Sequence, residues 1–162
     1  MKTQFREGLF DEITQDLIRP HSFAFERVGY VLGEIKNGVL VLNEWMKFED
    51  FFYEQNDEVG ARIGGEGMTY LVKKVFSSRK HFFHTHLHDF QDIPTFSDVD
   101  MRSLLEVTPS LFDFSGLGPH GALLIGRGAS RLIWWDEKNC RKKNELIIDY
   151  GLGPRSVYER EE

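Results

Sequence analysis

The chain has 162 residues, a length that suits one domain spanning 1–162 and leaves little room for two. Its apolar content is 41%, and 14 Phe, 5 Tyr and 3 Trp supply the bulk for a core. The net charge of −6, with no basic stripe, excludes nucleic acid as the expected partner.

In chain order, residues 1–7 carry charges with no apolar run behind them, which does not describe a signal peptide. Residues 8–19 place Leu9, Ile13, Leu17 and Ile18 on one helical stripe, closed by Pro20. From Ser22 to Leu42 the pattern is β-like, with Lys36-Asn37-Gly38 as a hairpin turn. Residues 46–66 are irregular, an aromatic stretch followed by glycines. Residues 68–78 predict a helix with Met68, Leu71, Val72, Val75 and Phe76 on its apolar side. Residues 81–88 read as a strand, 97–107 as another helix, and 121–126, 131–135 and 144–150 as three further strands. Arg141, Lys142 and Lys143 read as a solvated turn. Cys140 is the only cysteine, which rules out a disulfide framework and a Cys-rich zinc site. No segment approaches the ~20 apolar residues that span a bilayer. The expectation is a soluble, cytoplasmic α+β domain whose helices pack on a twisted, mostly antiparallel sheet.

Three features carry chemistry. In a strand, His84 and His86 point to one face and can converge on one ion, while Phe83, Thr85 and Leu87 face the other way. His88 extends the same row and competes as a third ligand. Ser97-Asp98-Val99-Asp100 spells a capping box at a helix start, yet a carboxylate there can also turn inward as a metal ligand. Two histidines, one carboxylate and a water make an open site of the catalytic type. If residues 24–32 are extended, Glu26 shares a face with Ala24, Val28, Tyr30 and Leu32, where a carboxylate is costly to bury without a partner. Near a metal-bound water it could move a proton at neutral pH; the bland alternative is a strand-end glutamate facing solvent.

These elements together resemble the JAMM (JAB/MPN) zinc peptidase family, in which E-x-x-G-x-L-x-G, or a pattern close to it, is followed by H-[ST]-H and then S-x-x-D. Here they read Glu26 to Gly33, His84-Thr85-His86, and Ser97 to Asp100, in that order, and the resemblance covers residues 8–135. Two departures stand out: Leu87 replaces the usual Pro, and the ten residues 87–96 make a longer loop than the family commonly has. Metallo-β-lactamase-like hydrolases need His and Asp in another order, and amidohydrolases need a barrel of roughly 250 residues.

The resemblance implies a JAB/MPN-like fold and a zinc ion held by His84, His86 and Asp100. It further implies Glu26 as general acid/base and Ser97 as oxyanion donor. The implied activity is cleavage after the C-terminus of a ubiquitin-like protein, either deconjugation or precursor processing. Stand-alone prokaryotic members suggest E1-like and E2-like partners and a bacterial anti-phage setting. Residues 44–66 and 87–96 are the expected substrate contacts. The alternatives are a JAMM hydrolase of another amide or a sulfur-carrier adduct, and a non-catalytic MPN-type scaffold.

Overall fold

A computed structural model describes residues 1–24, 26–55, 60–150 and 158–160. The elements are β1 (Lys2–Phe5), α1 (Leu9–Leu17), β2 (Gly29–Lys36), β3 (Val39–Lys47), a 3-10 turn (Asp50–Phe52), β4 (Tyr53–Glu54) and β5 (Arg62–Ile63). They continue with α2 (Gly65–Ser78), β6 (His81–Leu87), α3 (Asp98–Ser115), β7 (His120–Ile125), β8 (Ala129–Trp135), β9 (Asn144–Asp149) and β10 (Tyr158–Arg160).

Local chemistry explains the punctuation. Asn37 and Gly38 both have positive φ, 52° and 76°, the backbone that a tight two-residue hairpin turn requires between β2 and β3. Ser97 caps α3 through a full capping box with Asp100. Gly116, at φ 65°, ends α3 in the left-handed conformation.

The eight-stranded sheet runs β1-β3-β2-β6-β7-β8-β9-β10. Its pairs are antiparallel except β1 with β3 and β6 with β7. The expected mixed α and β architecture with a mostly antiparallel sheet is therefore present. Leu9, Ile13 and Leu17 of α1 pack on one face against Val31, Leu42, Phe83 and Leu123. On the other face, Leu71 and Val75 of α2 and Leu111 of α3 meet Tyr30, Leu32 and Phe82. Leu104 of α3 completes that layer against Ala122, Ile133 and Trp135. Alternation along β6 thus sends Phe83 to the α1 side, and sends Phe82, with His84 and His86 in the same row, to the α2 and α3 side. Among the described residues, no helix is long and apolar enough to cross a membrane.

Several expectations need correction. β2 begins at Gly29, so Glu26 lies in a bend before the strand and not in an extended run from residue 24; Phe25 is outside the described residues. Helix α2 starts three residues earlier than the apolar pattern indicated, and its first turn carries the buried Gly67, where a Cβ would sit 2.4 Å from Ile63. Met68 and Phe76, expected on its apolar side, are 38% and 76% exposed, leaving Leu71 and Val75 as the buried stripe. Helix α3 runs on to Ser115, past Pro109. β1 was not foreseen, since four residues of mixed polarity show no period of their own and are held by pairing with β3.

Candidate metal centre

The site forms where three segments meet at the end of β6. β2 and β6 run antiparallel with Gly29 opposite Thr85 and Tyr30 opposite His84. Continuing that register carries Glu26 to the level of His88, which brings a carboxylate from before one strand to histidines at the end of the next. Gly29 permits this packing, because a Cβ there would lie 2.3 Å from the Trp45 ring. The Trp45 indole N–H in turn donates to Asp16 at 3.0 Å, fastening α1 to β3.

The segment carrying Glu26 is held by its neighbour. Arg27 is buried and donates to Asp50 at 2.8 Å and to the Arg19 and Pro20 carbonyls at 3.0 and 3.2 Å. The Tyr53 hydroxyl accepts the Val28 N–H and donates to the Val28 carbonyl. Neither residue stood out in the sequence, where an arginine beside a glutamate and an isolated tyrosine carry no motif.

Asp100 reaches the site from the first turn of α3. Its Oδ2 accepts from the Ser97 N–H and hydroxyl, each at 2.7 Å, while the Asp100 N–H donates back to Ser97 Oγ at 3.1 Å. Its Oδ1 lies 3.3 Å from His86 Nε2, and its Oδ2 lies 3.8 Å from His88 Nε2. Burial pushes the Asp100 carboxyl up, but the His86 ring and the Ser97 donors outweigh it and hold the group well below the usual carboxylate range. The Ser97 hydroxyl, expected as an oxyanion donor, spends its hydrogen on Asp100 and so first orients that carboxylate.

His86 is buried, His84 and His88 are half-buried, and the row is short of partners. The His84 and His86 rings are 5.5 Å apart, and those of His86 and His88 5.0 Å. Both ring nitrogens of His86, and Nδ1 of His84 and His88, are buried without a hydrogen-bond partner. Each such loss costs about 1–3 kcal/mol. His86 Nε2 is included although Asp100 is 3.3 Å away, because that approach lacks hydrogen-bond geometry. Two donors sharing one tetrahedral cation at bonds of about 2.0–2.1 Å stand roughly 3.3 Å apart. The His86 and Asp100 spacing is compatible with both groups binding one cation. Burial drives the His84 pKa down to about 3, keeping the ring neutral and able to ligate.

Among the described residues, one triad brings donor atoms within 4.8 Å of one another: Glu26, His86 and His88. That group could hold a metal ion. His84 and Asp100 lie next to it, His84 through its ring contact with His86, but they do not close a second such triad with His86 among the described residues. Burial raises the Glu26 carboxyl; His86 and His88 oppose that shift and Asp100 reinforces it. A cleft of about 480 Å³ opens beside Glu26, walled by Leu17, Ile18, Pro20, Ala24 and Leu87.

The segments expected to contact substrate are placed as follows. Residues 88–96 are fastened to the β7–β8 turn: the Ala129 and Gly128 N–H groups donate to the Asp92 carbonyl, and Arg131 to the Pro94 carbonyl. Phe90 and Ile93 remain exposed on this loop. Within 44–66, β4 and β5 pair as a small ribbon, and Phe52 stacks on Tyr70 of α2. Residues 56–59 lie outside the described residues. No protein-family model matches the chain, and no curated protein matches it.

Proposed function

We propose that this protein is a zinc-dependent peptidase of the JAMM type, with a JAB/MPN-like fold, acting after the C-terminus of a ubiquitin-like protein. The observation that carries the reading is His86: buried, without a hydrogen-bond partner at either nitrogen, 3.3 Å from Asp100 and grouped with Glu26. The neutral His84 ring, the unpartnered His86 ring, an ionised carboxylate and a carboxyl of raised pKa form a donor set suited to zinc and to proton transfer. His86, Asp100 and His84 are the proposed ligands, and an ion held there would supply Lewis-acid polarisation and acidify water.

The chain's own residues then divide the work. Glu26, its affinity for a proton increased by burial, takes one from water and returns it to the leaving amine. Ser97 holds Asp100 in orientation, and on releasing that bond its hydroxyl donates to the oxyanion. Arg27 fixes the bend that presents Glu26. The cleft beside Glu26 receives the chain being cut, and its position suits the small, extended tail of a ubiquitin-like protein. Partners of the same conjugation system, E1-like and E2-like enzymes, follow from that substrate.

The test is cleavage of a panel of ubiquitin-like proteins fused at their C-termini to a reporter, with and without o-phenanthroline. Chelator-sensitive cleavage at the fusion junction is expected. Zinc binding without cleavage of any fusion would move the protein toward another amide substrate or a binding role. Absence of zinc binding by the folded protein would overturn the reading.

A further inference from the structure

The histidine row does not end at His86. The His88 N–H donates to the Ile125 carbonyl at 2.8 Å, which fixes its backbone just beyond the last residue of β6. Its ring stacks on Phe90, with centroids 5.3 Å apart and planes at 25°. That stacking sets the ring's plane, and Nε2 faces Asp100 Oδ2 at 3.8 Å, too far for a hydrogen bond. Nδ1 is buried with no partner. The side chain is 13% exposed, whereas a decorative surface histidine would leave its nitrogens in water.

We infer that His88 is itself a metal ligand, completing with His86 and a carboxylate the coordination that two histidines begin. The inference rests on the reading of this site as a metal centre, and it changes which residues build it. His86 is the shared member of two overlapping sets, one reaching inward to His84 and one outward to His88. Among the described residues only the outward set brings its donors within 4.8 Å of one another, and there the carboxylate is that of Glu26, which in this set would bind the ion and not carry the proton. His86, 1% exposed and unpartnered at both nitrogens, is common to both sets. His86, His88 and Glu26 would hold the ion in this set, and Glu26 also lines the cleft.

The experiment compares zinc affinity, by chelator competition, for wild type, His84→Ala, His86→Ala, His88→Ala and His88→Gln. Circular dichroism confirms folding, and the exposed position of Phe90 makes loss of fold on substitution of His88 avoidable through the Gln variant. The expected result is a fall of more than about 100-fold for both His88 variants, beyond the 10–100-fold that loss of a group outside the coordination shell costs. Cadmium–nitrogen scalar coupling in histidine-labelled protein then reads the bond directly, and a coupled resonance lost in His88→Gln supports the assignment. Wild-type affinity in both His88 variants, with loss in His84→Ala and His86→Ala, overturns it while leaving the proposed function intact. No zinc binding by wild type overturns both.

Discussion

His86 Nε2 and Asp100 Oδ1 stand 3.3 Å apart and do not hydrogen-bond. The same carboxylate closes the capping box of α3 through its other oxygen. The capping and the ligand readings of Ser97 to Asp100 are thus not rivals: Oδ2 serves the helix and Oδ1 faces His86. In the proposed metal centre such a division would let a stability device orient a ligand.

Ser97→Ala should therefore act on two measurements at once. Loss of the cap costs about 0.5–2 kcal/mol in urea unfolding. Loss of the hydroxyl that steadies Asp100 lowers zinc affinity about 10–100-fold. Ser97→Thr retains the hydroxyl and should restore both. Zinc affinity unchanged in Ser97→Ala would remove the orienting role.

Glu26→Gln preserves shape but cannot shuttle a proton. Cleavage of a ubiquitin-like fusion should fall by about 10²–10⁴, the range that positioned proton transfer supplies. The fold is expected to persist, and zinc content separates the two roles open to Glu26. Retained zinc with lost cleavage marks an acid/base; lost zinc marks a ligand; unchanged cleavage refutes both.

Arg27 should be a positioning residue. Its buried guanidinium ties Asp50, the Arg19 carbonyl and the Pro20 carbonyl around the bend that carries Glu26. Arg27→Ala should cost about 2–3 kcal/mol of stability, given charged hydrogen bonds lost. Turnover should fall, with zinc content retained where Glu26 is the acid/base and reduced where Glu26 is a ligand. Arg27→Lys keeps the charge without the fork and should recover little. Turnover equal to wild type in the alanine variant would show that the bend holds without it.

His120 gives a pH dependence remote from the zinc reading. Its Nδ1 accepts the Phe82 N–H at 3.0 Å, and Nε2 lies 2.8 Å from Ser115 Oγ, so the folded ring is neutral. Burial, with His81 nearby, pushes its pKa down to about 4, from 6.5 when unfolded. Between those values the unfolded chain binds the proton and the folded chain does not. Its contribution is therefore complete above pH 6.5 and is lost as pH falls toward 4. Between about pH 7.5 and about pH 5 this single group should remove roughly 2 kcal/mol of unfolding free energy. Urea titrations with chelator present should show that part of the loss absent from His120→Asn. Equal pH slopes for both proteins would contradict it.

Periodicity and turn chemistry are local, and they were legible. Leu9, Ile13 and Leu17 announced α1, Asn37-Gly38 announced its hairpin, and the alternation of Phe83 against His84 and His86 announced which residues share a face. The candidate donors His84, His86, His88 and Asp100 could be named from residue type and spacing, and Glu26 could be singled out as an acid/base, its role implied by the family resemblance. Their mutual distances could not, because these are set by register between strands far apart in the chain. Only the β2–β6 pairing brings Glu26 level with His88, and it does so from a bend, not from the extended run the pattern suggested. Only the docking of α3 turns Asp100 Oδ1 toward His86. Arg27 and Tyr53 acquire their roles from partners that no local motif can specify, since the groups they bind are brought near by the fold as a whole.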